Sequence, residues 1–241
     1  GKLILKNFDE VSANTFQHLI DASVAIRTRV QAAGGQVRYS AYGYHGTEIL
    51  IEGQYTWQTY TNYTQGLAKM RLERIAQAAW EQGVKATVYN CPEIRTNSSD
   101  IFAGVELPLV GLLNALKKEN GGAWAQAQWQ ACSALLADGF TVDAMLAKVE
   151  AFHTSDVMRP FRNFAAWPMP NAAEQADLTI GTSDEVQKMH KDPKALVTDL
   201  LSSLVIEATG PLMFRESSAP AGPVLWLNHD IIARQLNLLH G

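Results

Sequence analysis

Cysteine is scarce in this chain: Cys91 and Cys132 are the two in 241 residues. Two thiols are too few for a disulfide framework or a cysteine-rich zinc site. The start of the sequence also lacks the charged region, apolar run and small-residue cleavage pattern of a signal peptide. Together these absences predict a reducing, cytoplasmic location. No uninterrupted apolar run approaches the ~18 to 20 residues that cross a bilayer, so no membrane span is expected. An excess of positive charge is missing too, with 20 Lys and Arg against 24 Asp and Glu. A protein that holds nucleic acid through its phosphates carries a clustered basic surface, so nucleic acid is not expected as a principal partner. No GxGxxG follows a strand, no Walker sequence occurs, and the six histidines show no HxxxH spacing. No cofactor and no metal is therefore predicted.

What is present is an ordinary globular composition, 47% hydrophobic and 18% charged, read as a single domain over residues 1–241. After a short apolar start at Leu3 to Leu5, the spacing predicts a helix over 12–33, capped by Ser12 or Asn14. Phe16, Ile20 and Val24 form a line on its face, with Leu19, Ile26 and Val30 beside them. Gly34 and Gly35 close it. Alternation predicts strands at 37–42 and 48–52, joined as a hairpin through the glycines of GYHGT. A second helix over 67–82, with Leu67, Met70, Ile75 and Ala79 as its stripe, stops at Gly83 and leads into a strand at 84–89.

Residues 99–153 read as a helical insertion, capped by Ser98 or Ser99, kinked at Pro108 and broken at ENGG. An irregular connection follows over 154–176, with Pro160, Pro168 and Pro170. A short strand at 178–180, a helix at 193–209, a strand at 224–227 and a helix at 231–239 complete the chain. The expected class is α/β or α+β, rich in helix, with a central mixed sheet covered by the helices at 12–33 and 67–82.

Ligands of open α/β sheets settle beyond the carboxyl ends of the strands. Three segments place polar groups there: Asn90 and Cys91 with Glu93 and Arg95; GTSDE at 181–185; and NHD at 228–230. The loop after the first strand adds Tyr44, His45 and Glu48. This rim predicts a small-molecule site in a hydrolase or transferase. Cys91 is its nucleophile or substrate contact, His229 its acid/base and Glu93 the orienting carboxylate, with His45 and Asp230 as alternates. Arg95 binds negative charge, and Tyr44, His45, Glu48, Asn90 and Asp230 surround the substrate.

Each residue also has a plainer reading. Ser98, Ser183, Asp184, Asn228 and Asp230 are of the types that cap helices. Pro92 keeps Cys91 extended at the strand end, where a thiolate needs a cation, a histidine or amide dipoles; otherwise an unpaired cysteine is a small buried filler. Residues 44–48, YHGTE, resemble the His-Gly-Thr strand of ADP-ribosyltransferases over three letters. The rest of that family's pattern does not follow, and no role is carried over.

Two aromatic stretches, 54–66 and 159–170, contain Trp57, Tyr60, Arg162 and Trp167 among uncharged or basic neighbours. Such side chains suit contact with a sugar, a base or a protein surface, and equally suit covering a core. They support the alternative function, a non-catalytic component of a larger assembly or a homo-oligomer.

Overall fold

The computed structural model describes residues 2–58, 64–96, 103–167, 169 and 172–241. In chain order its elements are α1 (Lys2–Asp9), a π-helical turn (Glu10–Asn14), α2 (Thr15–Ala22), α3 (Val24–Ala32), β1 (Arg38–Gly43), β2 (Glu48–Ile51), β3 (Gln54–Trp57), α4 (Thr64–Glu81) and β4 (Lys85–Asn90). There follow α5 (Glu106–Leu109), α6 (Leu112–Asn120), α7 (Ala123–Leu135), α8 (Val142–Thr154), two 3-10 turns (Arg159–Arg162 and Phe164–Ala166), α9 (Ala173–Gln187), α10 (Val197–Ser218), β5 (Val224–Trp226) and α11 (His229–His240). The chain forms two compact units interleaved along the sequence. The first is Gly1–His45, Asn62–Cys91 and Pro211–Trp226; the second is Gly46–Thr61, Pro92–Gly210 and Leu227–Gly241.

The first unit is built on a parallel sheet of order β1-β4-β5. Its middle strand, KATVYN, is buried at every position after Lys85, the near-continuous burial of a parallel strand covered on both faces. β1 pairs with it from Arg38 opposite Lys85 to Gly43 opposite Asn90. β5 pairs on its other edge, ending with Asn90 opposite Trp226. The core joins Phe16 and Ile20 of α2, Leu72, Ala76 and Ala79 of α4, and Tyr39, Ala86 and Val88 of the sheet. α4 closes at Gly83, whose φ of 76° lies in the left-handed region that favours glycine.

In the second unit β2 and β3 form an antiparallel hairpin, with Ile51 opposite Gln54. Its two-residue turn places Glu52 at φ 51° and Gly53 at φ 74°, the positive pair that a type I′ turn requires. α6 packs against α11 and against this hairpin. Leu107, Leu112, Leu113, Leu116, Met145, Val149, Phe152, Ile232 and Leu236 are buried in this unit.

The α/β class and the richness in helix are as the sequence predicts, and strands 37–42 and 84–89 do lie side by side. Other expectations need correction. The strands at 38–43 and 48–51 form no hairpin; β1 takes β4 as its parallel neighbour while β2 turns back on β3. The mixed sheet thus resolves into a parallel sheet and a separate antiparallel one. The first helix starts at Lys2, and Ser12 and Asn14 lie inside its π-helical turn instead of capping it. Leu19, Val24 and Ile26 of the expected stripe are exposed. The strand expected at 178–180 is interior to α9, where Gln175, Thr179, Thr182, Ser183 and Val186 are buried at helical spacing. Ser98, Ser99, Pro168 and Pro170 lie outside the described residues. Among the described helices α10 alone is long and apolar enough to cross a membrane, and half of its most apolar window is buried within the protein.

Candidate functional site

Gly43, Asn90 and Trp226 stand in register as the last row of the parallel sheet, at its carboxyl edge. Past Gly43 the chain carries Tyr44, half-buried, and His45, which is 2% exposed. The His45 Nδ1 lies 2.9 Å from Glu73 Oε1, a buried carboxylate on α4. The same oxygen accepts a hydrogen bond from Asn90 Nδ2, also at 2.9 Å. A buried carboxylate must be paired and hydrogen-bonded, so Nδ1 carries its proton toward Glu73. The indole of Trp226 stands 6.0 Å from the His45 ring, tilted by 41°. Asn90 Oδ1 is buried and has no hydrogen-bond partner. Only glycine lets Asn90 lie so close to β1, because a Cβ on Gly43 would sit 2.3 Å from that oxygen. On the same helix as Glu73, Lys69 Nζ donates to the Tyr42 carbonyl at 3.1 Å, and burial lowers the Lys69 pKa.

Cys91 follows directly and is fully buried. Its amide donates to the Gly43 carbonyl at 3.3 Å, and its thiol lies 3.6 Å from the Tyr89 carbonyl. Burial pushes the thiol up to about 12, outweighing a hydrogen bond with Tyr42 that acts to lower it. At neutral pH it is a thiol, not the thiolate that attacks. Cys132 is likewise buried and pushed up to about 12.

Cys91 belongs to the first unit, whereas Glu93 and His229 belong to the second. Glu93 Oε2 is buried without a partner, and burial, then the neighbouring charge of Glu106, pushes this carboxyl well above its usual range. His229 is 1% exposed with Nδ1 unpartnered. Burial, then His153, pushes it down to about 3. Arg95 is engaged by both oxygens of Asp199, at 2.8 and 2.9 Å, and its amide donates to Ser202 Oγ. Glu48 accepts from Asn228 Nδ2 at 2.8 Å, its pKa raised by burial and then by Asp230. Asp230 pairs with Arg234, which also reaches Glu119.

Trp57 and Trp167 are each 9% exposed. The Trp57 ring packs 4.5 Å from that of Phe164. Arg162 reaches Thr56 Oγ1 at 3.3 Å and Glu52 at 3.6 Å. Among the described residues, Trp57 and Trp167 thus pack within their own unit, while Phe164 is exposed. Tyr60 lies outside the described residues. Among the described residues no group of three or more His, Cys, Asp or Glu is placed to hold a metal.

Sequence reasoning reached His45 and Asn90 but missed Glu73 and Trp226. Glu73 had a signal: it sits between Leu72 and Ala76 on a helix face that turns inward, where an acid needs a partner. Trp226 read only as a strand residue.

The family model described as enoyl-acyl carrier protein reductase FabMG matches residues 1–236. An apo structure of FabMG, described as a novel type of enoyl-acyl carrier protein reductase, is 72% identical with a TM-score of 0.95, covering 100% of this chain and 54% of that one. An NADH-bound structure of FabMG is 65% identical with a TM-score of 0.84, covering 100% of this chain and 58% of that one. The chain thus spans little more than half the length of these solved chains. No curated protein matches it. The expectation of a hydrolase or transferase is overturned by these matches, which are to reductases.

Proposed function

The chain belongs to the family of the enoyl-acyl carrier protein reductase FabMG, and from that premise we propose that it forms part of an NADH-dependent reductase. Its substrate is an enoyl thioester carried on acyl carrier protein, whose carbon–carbon double bond it saturates. The observation that carries this reading is the 72% identity over the whole chain to a structure so described. NADH, when bound, supplies the hydride.

Residues of the first unit fit the ring end of such a dinucleotide. Asn90 Oδ1 is a buried acceptor without a donor, matched to the N–H of a carboxamide. Trp226 offers an aromatic face beside it on the same sheet row. Asn90 would orient the ring through that hydrogen bond, with Glu73 fixing the Asn90 amide from its other side. β4, buried at every position after Lys85, would back the row and limit water there.

The test is NADH consumption by the full-length protein, followed with enoyl thioesters on acyl carrier protein and with mass spectrometry of the product. Saturated acyl thioester formed mole for mole with NAD+ is the expected result. Folded protein that binds NADH but leaves every enoyl thioester unreduced refutes the reading. Binding has its own readout: NADH at 100 times its dissociation constant should stabilise the fold by about 2.7 kcal/mol. Replacing Asn90 by Leu should reduce that gain.

A further inference from the structure

We propose that the second unit carries a seat for an alkanoate anion, a carboxylate head on an apolar chain, in an open groove between α6, α8 and the β2–β3 turn. The groove has a volume of about 480 Å3, within the range of small-molecule sites. Asn114, Lys117 and Lys118 line it from α6, at the i, i+3 and i+4 spacing of one helix face. Leu146, Ala147 and Glu150 line it from α8 at the same kind of spacing, and Leu50 and Gly53 of the hairpin complete the wall. All of these residues belong to the second unit, whereas the row of Gly43 and Asn90 belongs to the first. The seat is therefore argued without reference to the reduction.

Three observations define the occupant. First, one side of the groove is apolar: Leu146 is 7% exposed, Leu50 is half-buried and Ala147 is a bare methyl. Second, the other side holds two exposed ammonium groups that form no ion pair among the described residues. Lys117 Nζ stands 5.0 Å from the centre of the Trp129 ring, and Lys118 Nζ donates to the Gly53 carbonyl at 2.9 Å and lies 4.7 Å from the Tyr55 ring. Third, the nearby acids are engaged elsewhere. Glu119 accepts from the Tyr55 hydroxyl at 2.8 Å and pairs with Arg234, and Glu150 accepts from the Glu52 amide. A basic last turn complements the negative end of a helix, which explains the lysines as a cap but not the apolar groove beside them. A carboxylate there accepts from the ammonium groups and from the Asn114 amide N–H, while its chain covers Leu50 and Leu146. Two lysines against the single carboxylate of Glu150 suit a monoanion better than a dianionic phosphate.

The experiment titrates octanoate, 1-octanol and acetate into the full-length protein by calorimetry, without NADH or any thioester, and repeats the octanoate titration on K117Q and A147E. Octanoate should bind with a dissociation constant of about 1 mM or tighter, and several-fold more tightly than either the uncharged alcohol or the chainless acetate. K117Q should weaken it by about three- to fivefold, the scale of an exposed ion pair. A147E places a bulky like charge in the groove at an exposed helix position; it should weaken octanoate by about tenfold or more and leave the melting temperature unchanged. Octanoate that fails to bind at millimolar concentration, or that binds no better than octanol, overturns the proposal. So does wild-type octanoate affinity in A147E, which would place the binding elsewhere in the protein. Because no turnover is read, each of these outcomes leaves the reductase reading to its own test.

Discussion

His229 and His153 show what burial does to a titrating side chain. Both are 1% exposed in the second unit. Burial holds His229 down to about 3, and holds His153 down to about 4 against a raising hydrogen bond with the Leu107 carbonyl. The unfolded chain would protonate each near pH 6.5, so below that pH the unfolded state binds more protons than the folded one. Stability contributed by these neutral rings is therefore complete above pH 6.5 and is lost as pH falls toward 4 and 3. From pH 7 to 5 the loss is about 2 kcal/mol per histidine. In urea titrations at the two pH values, H229Q should lose about 2 kcal/mol less than wild type; parallel losses would show His229 to be protonated in the fold. Sequence reasoning placed His229 correctly at the start of the last helix but could not see its burial. Cys91 was equally legible in place and illegible in state, because whether a strand-end thiol ionises depends on what covers it.

α4 carries the clearest lesson among the elements. Its period and its glycine stop can be read from the sequence, as can the strands on either side. Its inward face cannot, because the eye follows the large residues Leu67, Met70 and Ile75, all half-buried. The buried face is instead Ala68, Leu72, Ala76 and Ala79. Small side chains let a helix lie close on a sheet, and that closeness brings Glu73 within reach of Asn90 on β4. Ala76 is fully buried, so A76L should force the helix off the sheet and cost about 1–3 kcal/mol. M70A should cost less than A76L, since Met70 already touches solvent. Chemical denaturation that ranks the two the other way would return the inward face to the large residues. Strand partners were the other illegible feature. The turn at Glu52 and Gly53 holds Glu at a positive φ, where asparagine or aspartate is the usual sign of a hairpin, so the residues there carry a weaker turn signal than the glycines of GYHGT before them.

At the scale of the whole molecule, the chain passes between the two units five times, at residues 45/46, 61/62, 91/92, 210/211 and 226/227. Neither unit is a continuous stretch, and each closes loops made of the other. In the first unit β4 must find β5 across the whole of the 92–210 segment. While the second unit is folded, the two ends of that segment are held at a fixed separation. If it unfolds, the first unit must close a flexible loop on the order of 100 residues, an entropic cost of about 4 kcal/mol. That is comparable to the stability of a small domain, so loss of one unit should carry the other with it. We therefore expect one cooperative unfolding transition, the same by far-UV circular dichroism and by tryptophan fluorescence. A76L in the first unit and V149A in the second should each move that single transition to lower denaturant, Val149 being 3% exposed. Two resolved transitions, with each substitution shifting only one of them, would show that the interleaved chain does not couple the units.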